Sequence, residues 1–199
     1  VNHDRCAHRI GTDSIVLGAW PKLKAKSSIL EFGHGSGVIS FMLAQSHPSV
    51  KITGIEIDAS SYEQSLENLE RNPFKENITF FQGDFNYQLF SEPFDYIISN
   101  PPYFASSLNA PNQERARARH VSKEQFKTWI NKWHRLLRDS GELILILPIE
   151  TWELLRMDFE EAGFSLNHVC RIRHHSQSQI RRLVLGFSKT CPLEIIEED

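Results

Sequence analysis

The chain has 199 residues, of which 40% are hydrophobic and 24% charged, a composition that fits one compact domain with a sizeable core and requires no second one. A net charge of −3 excludes a histone-like binder, although the acids Glu194, Glu197, Glu198 and Asp199 crowd the end and leave a near-neutral body that can carry a basic patch. Cys6, Cys170 and Cys191 show no Cys-x-x-Cys or Cys/His ligand spacing, and no apolar run approaches a membrane span or signal peptide. A cytoplasmic protein with reduced thiols, no metal and no membrane contact is expected, and because the first residue is Val1, an N-terminal piece is expected to be missing.

In chain order, Gly11 to Trp20 reads as a short helix capped by Thr12 or Asp13, with Ile15, Val16, Leu17 and Trp20 apolar. It covers a sheet edge, and its place upstream of a glycine loop makes Thr12 and Asp13 candidates to close a cofactor pocket. Ser27 to Phe32 reads as the first core strand, ending beside Glu31, and Gly33-His34-Gly35-Ser36-Gly37 turns into a helix from Val38 to Gln45. A strand, a glycine loop and a helix N-terminus in that order let backbone N–H groups approach a ligand. A dinucleotide fingerprint needs its third glycine where Val38 stands, which disfavours NAD.

Lys51 to Ile57 is a second strand whose Glu56, with Ile57 beside it, sits about twenty residues past the glycines, where a ribose-binding acid belongs. Asp58 is placed to cap the next helix, Ala59 to Arg71. Ile78 to Phe81 forms a third strand before Gly83-Asp84-Phe85; Asp84 is placed to accept from an adenine amine and Phe85 to pack on the ring. Phe94 to Ser99 is a fourth strand, stopped by Asn100-Pro101-Pro102-Tyr103. Proline lacks the ladder N–H, fixes φ and forces Asn100 to be extended. The rigid tip can grip a planar amine: the Asn100 side-chain oxygen and the Pro101 carbonyl each accept an N–H while Tyr103 stacks on the attached ring.

Residues 104–120 form an irregular loop in which Arg115, Arg117 and Arg119 alternate before His120, a candidate phosphate-binding stretch. Ser122 to Gln125 supplies a capping box for a helix to about Arg138, with Phe126, Trp129, Ile130, Trp133 and Leu137 as core. Gly141 to Leu147 is a fifth strand and about Ile149 to Ala162 a helix. Leu166 to Arg173 and Arg181 to Ser188 form a final hairpin with Arg171, Arg173, Arg181 and Arg182 near its tip. His174 and His175 point to opposite sides and do not make a metal site. Glu194 to Asp199 reads as an acidic, disordered tail. Alternation of strands and helices indicates a doubly wound parallel sheet with every candidate site on the carboxyl edge of its strands.

Asn100-Pro101-Pro102-Tyr103 resembles the (Asn/Asp/Ser)-Pro-Pro-(Tyr/Phe) signature of S-adenosylmethionine-dependent amino-methyltransferases, which implies a cofactor with an ammonium and a sulfonium as neighbours for Glu31. His3-Asp4-Arg5-Cys6-Ala7, Gly11-Thr12-Asp13, Leu17 to Trp20, Ala118-Arg119-His120 and Arg182 to Ser188 extend the likeness. Over nearly all of residues 2–189 the chain resembles the bacterial tRNA (adenine-N6)-methyltransferases that modify the adenosine 3′ of the anticodon in valine tRNA. The resemblance implies an α/β, Rossmann-like seven-stranded class I methyltransferase, with a mostly parallel sheet and a C-terminal antiparallel hairpin. Residues 1–26 would be a capping segment, 27–189 the methyltransferase domain and 190–199 the acidic tail. It also implies S-adenosyl-L-methionine over Gly33 to Gly37, catalysis at Asn100, Pro101, Pro102 and Tyr103, and tRNA held by Arg5, Arg115, Arg117, Arg119, His120, Arg181 and Arg182. The rivals are a protein glutamine N5-methyltransferase, which normally carries a helical domain before its glycine loop, and an RNA-binding module without catalysis. Oligomeric state is left open.

Overall fold

The computed structural model describes residues 1–102, 121–173, 175 and 177–199. Strands β1 (Ser28–Phe32), β2 (Lys51–Glu56), β3 (Ile78–Gln82), β4 (Phe94–Ser99) and β5 (Leu137–Pro148) pair in parallel, and β6 (Ser165–Ile172) and β7 (Arg182–Ser188) form an antiparallel hairpin. Their order is β3-β2-β1-β4-β5-β7-β6. The chain steps outward from β1 to β3 and then crosses back to β4, so strand order reverses between β1 and β4. In an open α/β sheet that crevice is where ligands bind.

The sheet forms because its strands are apolar on both sides, as a sheet covered on two faces requires. Ile29 and Ile98 join one core with Leu17 of α1 (Thr12–Ala19) and with Ile39, Phe41 and Leu43 of α2 (Val38–Ser46). Leu30 and Ile97, one residue out of phase, join the other core with α4 (Lys123–Leu136) and α5 (Ile149–Glu161). Helix α3 (Ala59–Glu70) lies after β2. In α4 the buried stripe is Phe126, Trp129, Ile130 and Trp133, and Phe32 meets Trp129 and Trp133 with ring centroids 4.8 and 5.5 Å away. Each such aromatic contributes roughly 1.5–3 kcal/mol by leaving water. The end of β1 is thereby anchored from below.

Asp58 caps α3 by accepting from the Ser61 N–H at 2.8 Å, and Ser122 caps α4 by accepting from the Gln125 N–H at 3.1 Å, both as the sequence suggests. Helix α1 differs. Its N-cap is Gly11, with no side-chain cap, because the Asp13 carboxylate instead accepts from the Arg182 Nε at 2.9 Å. The tail differs too: Ile196–Glu198 forms an edge strand, β8, parallel to β6. Glu197 pairs with Arg171 at 2.8 Å and Asp199 with Arg173 at 3.3 Å, while Glu198 accepts from the Trp20 indole at 2.9 Å. Opposite charges and an open strand edge order a segment whose composition alone reads as disordered. Among the described residues no helix is long and apolar enough to cross a membrane, and no group of three or more His, Cys, Asp or Glu could hold a metal ion.

Candidate active site

Where β1 ends, Gly33, Gly35 and Gly37 take φ of +73°, +52° and +83°, the left-handed region that side chains resist. The loop is pinned from behind: Gly33 N–H donates to the Ile55 carbonyl at 2.9 Å and Gly37 N–H to the His34 carbonyl at 2.8 Å. Among the described residues a Cβ at Gly33 or Gly35 would meet nothing within 4 Å, whereas one at Gly37 would lie 2.7 Å from Phe41 Cζ. The first two glycines therefore face open space on the carboxyl edge, and the third faces packed rings. His34 fills the loop from below, stacked on Phe80 at 4.0 Å. Burial pushes its imidazole down to about 3, so it packs as a neutral ring.

Glu31 lies fully buried on β1. One carboxylate oxygen accepts from the backbone N–H of Ser40 at 3.0 Å and from its hydroxyl. The other, Oε1, is buried without a hydrogen-bond partner among the described residues. Burial, with a smaller push from Glu56, raises this carboxyl to about 8. An orphaned carboxylate oxygen beside an open glycine loop fits a cationic ligand group such as an ammonium.

This raised value has a consequence for stability. The unfolded carboxyl ionises near 4.5 and the folded one near 8, so its contribution is complete below the unfolded value and is lost as pH climbs toward 8. Glu31→Gln, neutral at every pH, is expected to flatten that decline. Thermal melts of the cofactor-free protein between pH 5 and 8.5 check this, and an equally steep decline in the variant would remove Glu31 as its cause.

Glu56 ends β2 and braces the loop, accepting from Gly35 N–H through one oxygen and from Asp58 N–H through the other, both at 2.9 Å. Burial raises its carboxyl as well. Beside it Ile57 is 67% exposed, an uncovered apolar side chain next to an acid, as an adenosine site requires. Asp84 folds a turn by accepting from the Asn86 N–H at 2.8 Å. Phe85, expected against a cofactor ring, is instead turned into the core, 3% exposed and 4.7 Å from Phe32. Its backbone, not its ring, borders the edge. Lys132 of α4 holds this turn, donating to the carbonyls of Phe85, Asn86 at 3.1 Å and Gln88 at 2.7 Å. Neither that lysine nor Ser40 carries a sequence motif that would have marked it.

Phe32 and Ser99 are direct partners on β1 and β4, and the Ser99 hydroxyl donates to the Phe32 carbonyl at 2.7 Å. Gly33 and Asn100 are therefore the first residues past two adjacent strand ends. Pro101 is buried and Pro102 half-buried. The Asn100 amide NH2 donates to the Ser14 hydroxyl of α1 at 3.5 Å. Asp13 sits half-buried one residue before Ser14, and Thr12 is exposed. Of the arginines expected to meet nucleic acid, Arg5 pairs with Glu67 at 2.5 Å and Arg182 with Asp13, while Arg181 is exposed. Tyr103, Arg115, Arg117, Arg119 and His120 lie outside the described residues.

Residues 10–151 match the methyltransferase small domain family. The tRNA1(Val) (adenine(37)-N6)-methyltransferase of Actinobacillus pleuropneumoniae serotype 7 is 33% identical over 98% of this chain and 83% of its own length. That of Tolumonas auensis is 36% identical over 100% of this chain and 83% of its own. Among solved structures, a TehB-like SAM-dependent methyltransferase from Corynebacterium glutamicum superposes with a TM-score of 0.62 at 17% identity, covering 89% of this chain and 87% of that one. The last shares the fold. Domain match and full-length relatives agree, and the chain belongs to the tRNA1(Val) (adenine(37)-N6)-methyltransferase family.

Proposed function

We propose that this chain transfers a methyl group from S-adenosyl-L-methionine to N6 of an adenosine in tRNA, at the base that its relatives' names place at position 37 of tRNA1(Val). The observation that carries the reading is the pairing of Phe32 with Ser99 across β1 and β4, which starts the glycine loop and the Asn-Pro-Pro corner from adjacent strand ends. When bound, the cofactor supplies an electrophilic methyl on a sulfonium. Glu31 would receive its ammonium at the unpartnered Oε1, the open sides of Gly33 and Gly35 its backbone, and Glu56 with Ile57 its adenosine. Asp84 and the Phe85 backbone would border the adenine, with Thr12 and Asp13 above.

The target base leaves its stack at a cost of about a few kcal/mol, less in a loop where it is already unpaired. Asn100 Oδ1 and the Pro101 carbonyl then each accept one N–H of the exocyclic amine, drawing its lone pair out of conjugation with the ring, while Tyr103 stacks on the base. After transfer the amine is acidic enough to lose its proton to solvent, so no strong base is required. Alignment of this kind supplies up to roughly 7–11 kcal/mol in well-oriented systems. Surface ion pairs are weak and screened by salt, so phosphates can take Arg5 and Arg182 from their carboxylates and meet the exposed Arg181 directly, alongside Arg115, Arg117, Arg119 and His120. A tRNA substrate and three free thiols fit a cytoplasmic enzyme.

Incubation with tritiated cofactor and total tRNA, followed by mass-mapping of the labelled nucleoside, tests the reading. N6-methyladenosine next to the anticodon of valine tRNA is the expected product. Label in protein rather than RNA would favour glutamine methylation, and no label at all a module without catalysis.

A further inference from the structure

Helix α3 buries the wrong kind of face for a core. Its buried residues are Ser61, Gln64, Ser65 and Asn68, at the i, i+3, i+4, i+7 spacing of one stripe, and Gln64 is 1% exposed. A polar side chain leaves water at little cost only if it is fully bonded. The bonds here go to the first residues of the chain. Arg5 N–H donates to Gln64 Oε1 at 3.0 Å and Gln64 Nε2 to Asp4 Oδ1 at 2.6 Å. Ala7 N–H donates to the Ser61 hydroxyl at 3.0 Å, and Asn2 and Asn68 exchange two bonds of 2.8 Å each. A strap with bends at residues 4–8 is laced to a helix in a fixed register.

Both ends of the lacing continue into the cofactor site. Asn68 Nδ2 also donates to the Ser36 carbonyl, in the glycine loop, at 3.0 Å. Ser61 donates to Asp58 at 2.8 Å, Asp58 N–H to Glu56 at 2.9 Å, and Gly35 N–H to Glu56 at 2.9 Å. Burial raises the Cys6 thiol, and the nearby Glu56 and Asp58 carboxylates add to the rise. Past Ala7 the strap closes on itself, Ile10 N–H donating to His3 Nδ1 at 2.8 Å, and enters α1, whose Ser14 meets Asn100. The segment is thus linked to the glycine loop through Asn68 and to Glu56 through Ser61 and Asp58, and it leads into the helix that meets Asn100.

We propose that Ser61, Gln64 and Asn68 of α3 are positioning residues that latch segment 2–7 across the cofactor site and slow the escape of bound S-adenosyl-L-methionine. The proposal rests on the methyl-transfer reading above. It predicts a ligand held by a strap whose fastening lies on a helix that does not itself bind the ligand.

The test uses the full chain, Gln64→Ala, Asp4→Ala and the double variant. Asp4→Ala cuts the same bond from the strap side without opening the helix, so it remains informative if Gln64→Ala folds poorly. Three readouts are taken: exchange of the Arg5 and Ala7 amides, the rate of S-adenosylmethionine release, and the split between KM for cofactor and kcat. Each single variant is expected to lose amide protection, to release cofactor about five- to tenfold faster and to raise KM for cofactor with kcat within about twofold. The double variant should do no more than the stronger single, since both cut one fastening. Release at the wild-type rate despite lost protection, or effects that simply add, overturns the latch. A wild-type chain that takes up no S-adenosylmethionine overturns the methyl-transfer reading and the latch together, and so is told apart from failure of the latch alone.

Discussion

Asn100→Ala lowers kcat for methyl transfer by about 10²–10³-fold while cofactor affinity stays within about twofold; that is the expected outcome of removing a preorganised hydrogen-bonding group at the reacting atom. The reason is positional. Ser99 is fully buried, its hydroxyl fixed to the Phe32 carbonyl, and Pro101 stiffens the next peptide, so the backbone at Asn100 has nowhere to relax. Helix α1 engages the amide NH2 through Ser14, which further restrains the side chain. Asn100→Asp keeps an acceptor and is expected to retain more activity than alanine, which single-turnover rates at saturating cofactor would measure. Equal loss in both variants, or a parallel fall in cofactor affinity, would point to a structural turn instead.

The glycine loop should separate binding from folding. Gly35→Ala places a methyl where, among the described residues, no packed neighbour lies within 4 Å, at a φ of +52°, so the strain is about 1–2 kcal/mol and the methyl intrudes on the ligand's side. Calorimetric titration should show cofactor affinity down at least about tenfold, with a thermal midpoint lowered by only about 2–8 °C. Gly37→Ala combines a φ of +83° with a Cβ 2.7 Å from Phe41 Cζ and 2.9 Å from Phe80 Cζ. Strain plus overpacking should cost roughly 2–5 kcal/mol and lower the midpoint by about 4–20 °C. If both variants unfold alike and affinity merely follows the folded fraction, the loop is a structural turn and not a ligand cradle.

Much of this architecture is legible in the chain because it is enforced locally. The apolar runs of β1, β4 and β5, the Asp58 and Ser122 caps, the turn glycines and the Asn-Pro-Pro stop each act within a few residues through backbone stereochemistry. Strand–helix alternation then leaves few topologies, and all of them bring Glu31, Glu56 and Asn100 to one edge. The resemblance in residues 3–20 extends this to a substrate class.

Other features depend on partners far along the chain. Ser61, Gln64 and Asn68 look like a solvated helix face, and only a strap some sixty residues upstream makes them buried. Phe85 follows a site-like Gly-Asp, yet the gap between Phe32 and Phe90 takes its ring into the core. Glu197, Glu198 and Asp199 find their partners only because Arg171, Arg173 and Trp20 are held beside an open strand edge. Period, glycine and proline are written into the sequence because they constrain the backbone where they stand. Which polar face is covered, which ring turns inward and which charges meet were decided by tertiary structure, because desolvation and pairing depend on what the fold brings alongside.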